Sequence, residues 1–96
     1  MSLNTKNQQE YLNELITVFL TASRNKHLLH DFLKDLLTPS ELSELALRWQ
    51  IVKKLSAGVQ QRAVVKGLGV GIATVTRGAR MLANNNGGFN QILKRS

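Results

Sequence analysis

The chain has no cysteine, a single proline and no long apolar run in its 96 residues. Without cysteine it can form neither a disulfide framework nor a thiolate metal site. A membrane-spanning helix needs about 20 consecutive apolar residues, and the first ten residues are too polar for a secretory signal. These absences predict a single cytoplasmic domain, 1–96, with no membrane association and no metal.

The second half of the chain lacks acidic side chains. All six Asp and Glu residues precede Arg48, and nine Lys or Arg follow from that position onward, in a chain of net charge +7. A basic region without an acidic counterweight attracts polyanions, of which nucleic acid is the commonest in the cytoplasm. The alternative is a basic surface that is only solvated.

Apolar residues recur at steps of three and four along most of the chain, and no convincing alternating strand occurs. This spacing predicts an all-α protein of six helices. The segment Thr38 to Glu41 forms a capping box with proline at the first helical position, which marks the start of the third helix. The loop "NNNGG" precedes the last helix. Trp49 and Met81 are predicted to be core residues, and Ile72 and Val75 to face inward.

The segment "GVGIATVTRGAR", Gly69 to Arg80, predicts the turn and second helix of a helix-turn-helix that spans about 60–83. Two short helices flank a turn of a few residues, and Gly69 can adopt the left-handed backbone conformation that the turn needs. Small or polar residues begin the second helix, as a helix that enters the major groove requires. The predicted DNA-binding residues are Gln61, Arg62, Gly71, Ile72, Ala73, Thr74, Thr76, Arg77 and Arg80.

The same glycines do not form a nucleotide site. A dinucleotide fingerprint follows a strand and is itself followed by an acidic residue, whereas here a helix precedes Gly69 and no acid follows. Enzymatic activity has little support as well. His27 and His30 lie three apart on one helix, but no set of nucleophile, base and carboxylate accompanies them. We predict no catalytic residue and no cofactor other than a possible small-molecule effector.

The sequence resembles the Trp repressor family in "LLTPSE", "LALRWQIVKKL" and, most specifically, "GIATVTRGA". The similarity runs from about Leu36 to Leu82. It implies a six-helix fold in an intertwined homodimer whose two recognition helices contact successive major grooves of a double-stranded operator. It also implies L-tryptophan as corepressor.

The resemblance carries over a corepressor site in part. Arg48 and Arg77 match the arginines on either side of the indole, Gly78 the glycine that makes room for the ring, and Thr38 a threonine beside the ligand carboxylate. The backbone carbonyls of Asp35 and Leu37 match those that accept the ligand ammonium.

Each of these residues has a structural alternative. Thr38 can be a helix cap without any ligand contact. Gly78 can allow close helix packing, and Arg48 can contact phosphate or pair with Glu44. The sequence departs from the family at Met81, where tryptophan-binding members have a serine.

The sequence therefore predicts a sequence-specific DNA-binding transcriptional repressor, for which the resemblance implies L-tryptophan as corepressor. Two alternatives stay open: a related regulator that does not bind tryptophan, and a helical protein-interaction module whose acidic first half is the working surface.

Overall fold

The computed structural model describes residues 5–95, and these form six α-helices without a strand. The all-helical prediction, with six helices, is confirmed. Residues 1–4 and 96, the two ends of the predicted domain, lie outside the described residues. The helices are α1 (Thr5–Ala22), α2 (Lys26–Leu36), α3 (Pro39–Ser56), α4 (Gln61–Leu68), α5 (Ile72–Leu82) and α6 (Gly88–Leu93).

The chain divides into two compact units, the first ending at Leu42 and the second beginning at Ser43. In the first unit α1 and α2 pack through Phe19 and Phe32, whose rings meet edge to face with centroids 5.3 Å apart. Asn25 caps α2, because its side chain accepts a hydrogen bond from the Leu28 amide at 3.0 Å. Many of the apolar residues that recur at steps of three and four in this unit remain exposed, among them Tyr11, Leu12, Ile16 and Leu20 of α1.

The capping box at the start of α3 forms as predicted. The Glu41 amide donates to Thr38 Oγ1 at 3.1 Å, and the Thr38 amide donates to Glu41 Oε1 at 2.9 Å. These two bonds satisfy amides that a helix terminus otherwise leaves unpaired. Hydrogen bonding of the Glu41 carboxylate, first to the Thr38 backbone amide and then to the Thr38 side chain, favours its charged form and lowers the pKa of Glu41 below its ordinary value of 4.5. Thr38 is therefore a helix cap.

The second unit has its own apolar core. Ile51 of α3, Val64 of α4 and Val75 of α5 are at most 1% exposed and pack together, with Leu55, Val65, Leu68 and Val70 around them. Complete burial of an aliphatic side chain of this size contributes about 1.5–3 kcal/mol. This cluster therefore fixes α4 and α5 on α3.

Gly78 lets α5 approach α3 closely. A Cβ at this position would lie 3.1 Å from Cγ2 of Ile51, which is itself buried. A side chain at this position would require Ile51 to shift, and a buried residue in a packed core has little room to do so. Gly78 therefore has the structural role in close helix packing that the sequence offered as an alternative to ligand binding.

Three residues predicted to be buried lie outside the core. Ile72 is 54% exposed, because the buried positions of α5 are Val75 and Gly78, on another side of the helix. Met81 is 37% exposed and Trp49 is half-buried, since both lie on the wall of a cavity and not in the core cluster.

Candidate nucleic-acid interface and the adjacent cavity

The helix-turn-helix is built from α4, a turn at Gly69 and α5. Gly69 has φ 66°, in the left-handed region, and its amide donates to the carbonyl of Val65 at 2.9 Å, which ends α4. A residue with a Cβ is strained in this conformation. The glycine therefore allows the chain to reverse within a few residues and begin α5 at Ile72.

Burial divides each helix of the motif into two sides. Val64 and Val75 face the core, while the nine residues predicted to bind DNA are all exposed. On α5, Ile72, Thr76 and Arg80 are spaced four apart and so share one face. The second unit contains a single acidic residue, Glu44, which is on α3. The exposed side of α4 and α5 thus combines hydroxyls, small residues and guanidinium groups.

A hydrogen bond joins the two helices on this exposed side. Thr76 Oγ1 of α5 donates to Gln61 Oε1, in the first residue of α4, at 3.3 Å. The N-cap of α5 is Gly71, which has no side chain to accept a hydrogen bond from the first amides of the helix. Amide groups in the first turn of α5 are therefore left without a side-chain cap.

A cavity of about 320 Å³ lies beside α5, within the second unit. This volume is at the lower end of the range for small-molecule sites. The cavity wall contains two guanidinium groups and no carboxylate, and its other side chains are mostly apolar. The lining residues are Leu45, Arg48, Trp49, Ile51, Val52, Thr74, Arg77, Gly78, Met81 and Phe89. The arrangement suits a small, flat, anionic or zwitterionic ligand.

The structure brings together three of the six residues predicted to bind a corepressor. Arg48, Arg77 and Gly78 all line the cavity. Within residues 5–95, no salt bridge joins Arg48 to Glu44, so the ion-pair alternative for Arg48 is not supported. Asp35, Leu37 and Thr38 belong to the first unit, and their part in a corepressor site stays a prediction.

Sequence reasoning missed much of the cavity wall. Phe89 of α6 lies beside Trp49, with ring centroids 6.4 Å apart. Asn90 fixes α6 by donating to the carbonyls of Leu82 and Asn84 at 2.9 and 2.8 Å. Trp49, Met81 and Phe89 also line a second cavity of about 640 Å³. No local pattern signals this wall, because it depends on where α6 folds back.

The fold and the exposed motif define a helix-turn-helix protein. The family model for the Trp repressor protein matches residues 10–96, and the chain belongs to the Trp repressor family. This is a family of transcription regulators and not of enzymes. Among residues 5–95, no helix combines the length and apolarity needed to cross a bilayer.

Relatives from several bacteria carry the name Trp operon repressor homolog. The Vibrio vulnificus (strain YJ016) protein is 40% identical over 77 residues, which cover 78% of this chain and 76% of the relative. The Actinobacillus succinogenes protein is 35% identical over 83 residues, 85% of this chain and 77% of the relative. No solved structure matches the chain. The protein is therefore a regulator of the Trp-operon-repressor type.

Proposed function

We propose that the protein is a repressor that binds a specific double-stranded operator through the exposed side of α4 and α5. The observation that carries this proposal is the division of the motif by burial. Its core face is closed by Val64 and Val75, while its nine candidate DNA contacts are all exposed. A surface that were only solvated would not need hydroxyls and small residues at the start of α5, where a helix enters the major groove.

The contacts divide into positioning and base readout. Gln61 and Arg62 bind the DNA backbone, since they begin the helix that crosses it in motifs of this type. Arg77 and Arg80 reach phosphates or guanine edges. The residues that face base edges, directly or through water, are Ile72, Ala73, Thr74 and Thr76, with Gly71 allowing the close approach of the backbone.

The operator-binding form is a homodimer. The apolar stripe of α1 is largely uncovered in one chain: Tyr11 is 57% exposed and Leu20 is 65% exposed, with Leu12 and Ile16 also exposed. A second copy supplies matching apolar surface. Dimeric helix-turn-helix proteins, of which the Trp repressor is itself a standard example, place two recognition helices about 34–36 Å apart on a near-palindromic site.

L-tryptophan is the corepressor in this proposal. Planar guanidinium groups stack on aromatic rings and bind carboxylates, and the cavity holds Arg48 and Arg77 beside Gly78. The family resemblance assigns the ligand's polar end to Thr38 and to the backbone carbonyls of Asp35 and Leu37, and this assignment is part of the proposal. Arg77 belongs to both the cavity and the DNA-facing residues, so a ligand there favours the orientation of α5 that fits DNA. The occupied operator then blocks polymerase.

Selection of duplexes from a random library, with and without L-tryptophan, tests the proposal. We expect a near-palindromic site that is enriched more strongly when tryptophan is present. Equal binding to all duplexes at physiological salt would contradict the operator and favour the protein-interaction alternative. Calorimetry tests the effector separately, and an absence of heat at millimolar L-tryptophan would remove the corepressor while leaving the operator intact.

A further inference from the structure

The hydrogen bond between Thr76 and Gln61 spans 15 residues and connects the first helix of the motif to the second. Both side chains are exposed on the side proposed to face DNA. Other threonines in the chain behave differently: Thr17 and Thr21 donate to carbonyls four residues earlier in their own helix, α1. The Thr76 hydroxyl donates to a residue outside its own helix, so Gln61 determines where that hydrogen points.

This contact limits what the Thr76 hydroxyl can do at a base edge. A hydroxyl has one hydrogen to donate and two lone pairs that accept. Since the hydrogen is directed to Gln61 Oε1, only the lone pairs remain available. In the major groove the hydrogen-bond donors are the amino groups of adenine and cytosine, whereas O6 of guanine and O4 of thymine accept.

We infer that Gln61 is a specificity-determining positioning residue, which holds Thr76 as a hydrogen-bond acceptor for the amino group of adenine or cytosine. This inference rests on the proposed binding to an operator. At the base pair that Thr76 contacts, the preference divides the four bases into amino and keto classes. A and C are accepted on one strand, and G and T are rejected there. The amide nitrogen of Gln61 keeps two hydrogens for the DNA backbone.

Selection with matched variants tests the inference. Thr76→Val removes the hydroxyl at nearly constant shape, and the base pair at which it relaxes preference is the one that Thr76 contacts. There the wild type should favour A or C over G or T by about 3- to 10-fold, as one hydrogen bond allows. Gln61→Leu should relax the same base pair to less than about twofold, because the freed hydroxyl can donate to a keto oxygen or to its own helix.

Gln61→Glu is the conservative variant, which should keep the base preference that Gln61→Leu loses. A carboxylate still accepts from Thr76, so the amino preference should persist, while affinity falls for all sequences because the new charge faces phosphates. A purely structural role for Gln61 predicts instead that both variants weaken every sequence and relax none. The inference is overturned if the wild type divides the bases as purines and pyrimidines, if Gln61→Leu keeps the preference, or if Gln61→Glu loses it.

A measurement without DNA tests the hydrogen bond between Gln61 and Thr76 independently of operator binding. The side-chain amide signals of Gln61 in the NMR spectrum should shift in Thr76→Val and stay unchanged in Thr74→Val, which alters an exposed threonine of the same helix. No shift in Thr76→Val would overturn the inference even where a specific operator is selected. Failure of the wild type to select any sequence would overturn the operator and the inference together.

Discussion

The two units of the chain differ in how completely they bury their own apolar residues. From Ser43 onward, Ile51, Val52, Val64 and Val75 are all at most 1% exposed. In the unit that ends at Leu42, the described helices α1 and α2 contain one buried residue, Ala22, and leave most of their leucines accessible. The charges divide in the same way, since five of the six acidic residues precede Leu42. The difference teaches that the helix-turn-helix half encloses an apolar core of its own, while the first half leaves its apolar side chains accessible, as the proposed homodimer requires.

The largest expected effect comes from a charge in the uncovered apolar stripe. Ile16→Asp should weaken the proposed homodimer by about 3–5 kcal/mol, because an unpaired carboxylate would be buried against the second copy. Sedimentation equilibrium measures this change directly. Thr17→Asp, about 100° around α1 from Ile16 and outside the stripe, is the matched control and should leave the dimer intact. Equal dissociation in both variants would exclude this stripe as the interface.

Truncation of a core side chain in the second unit should have the next largest effect, in this case on the free energy of unfolding. Ile51→Ala leaves a cavity between three helices and should lower the free energy of unfolding by about 2–5 kcal/mol. Chemical denaturation gives the value. Ile72→Ala changes the same residue type at an exposed position, and we expect it to stay within about 0.5 kcal/mol of wild type. A comparable loss in both variants would argue against a separate core.

Two glycines of the second unit should respond with opposite sign. In Gly78→Ala the new methyl group meets the buried Ile51, and overpacking of about 1–3 kcal/mol exceeds the gain in helix propensity. In Gly67→Ala the methyl group of α4 meets no atom within 4 Å, so the variant should gain up to about 1 kcal/mol. Thermal unfolding of the two proteins measures the contrast, and stabilisation by both would contradict the close approach of α5 to α3.

The charge difference between the units predicts a difference in salt dependence. Arg62→Ala should reduce the slope of log affinity against log salt by about 0.9 for each chain on the DNA, because one phosphate contact is lost. Arg24→Ala changes an arginine of the first unit and should leave the slope unchanged. Binding titrations across a range of salt concentrations provide the slopes. An unaltered slope in Arg62→Ala would remove this residue from the phosphate contacts.

The smallest effect concerns the cap of α3. The pKa of Glu41 is lowered by its bonds to Thr38, so its contribution to stability is present above about pH 4.5 and is lost as the pH falls below that value. Glu41→Gln keeps the cap hydrogen bond and does not titrate. The difference in unfolding free energy between the two proteins should therefore shrink toward zero in acid. A difference that does not vary with pH would contradict this role for the carboxylate.

Local patterns predicted the helices because each has a local cause. The stripe of α1, the capping box at Thr38 and the left-handed Gly69 all depend on residues close in sequence. The apolar character of Ile72 did not show which side of α5 is buried, because packing on α3 decides this through Val75 and Gly78.

The candidate site was predictable in so far as it lies on one motif. The nine residues proposed to face DNA come from α4, α5 and the turn between them, and all are exposed. The cavity joins α3, α5 and α6, so Phe89 could not be found from spacing. The bond between Gln61 and Thr76 depends likewise on the angle at which α4 meets α5. The corepressor roles of Asp35, Leu37 and Thr38 stay predictions.

The position of Trp49 has an optical consequence. It is the single tryptophan of the chain, and it shares the wall of the 320 Å³ cavity with Arg48, Arg77 and Met81. Indole emission shifts when the polarity around the ring changes, so a molecule that enters the cavity alters the intrinsic fluorescence of the protein. For effectors other than indoles, the regulator thus carries its own label-free sensor at the place where an effector would bind.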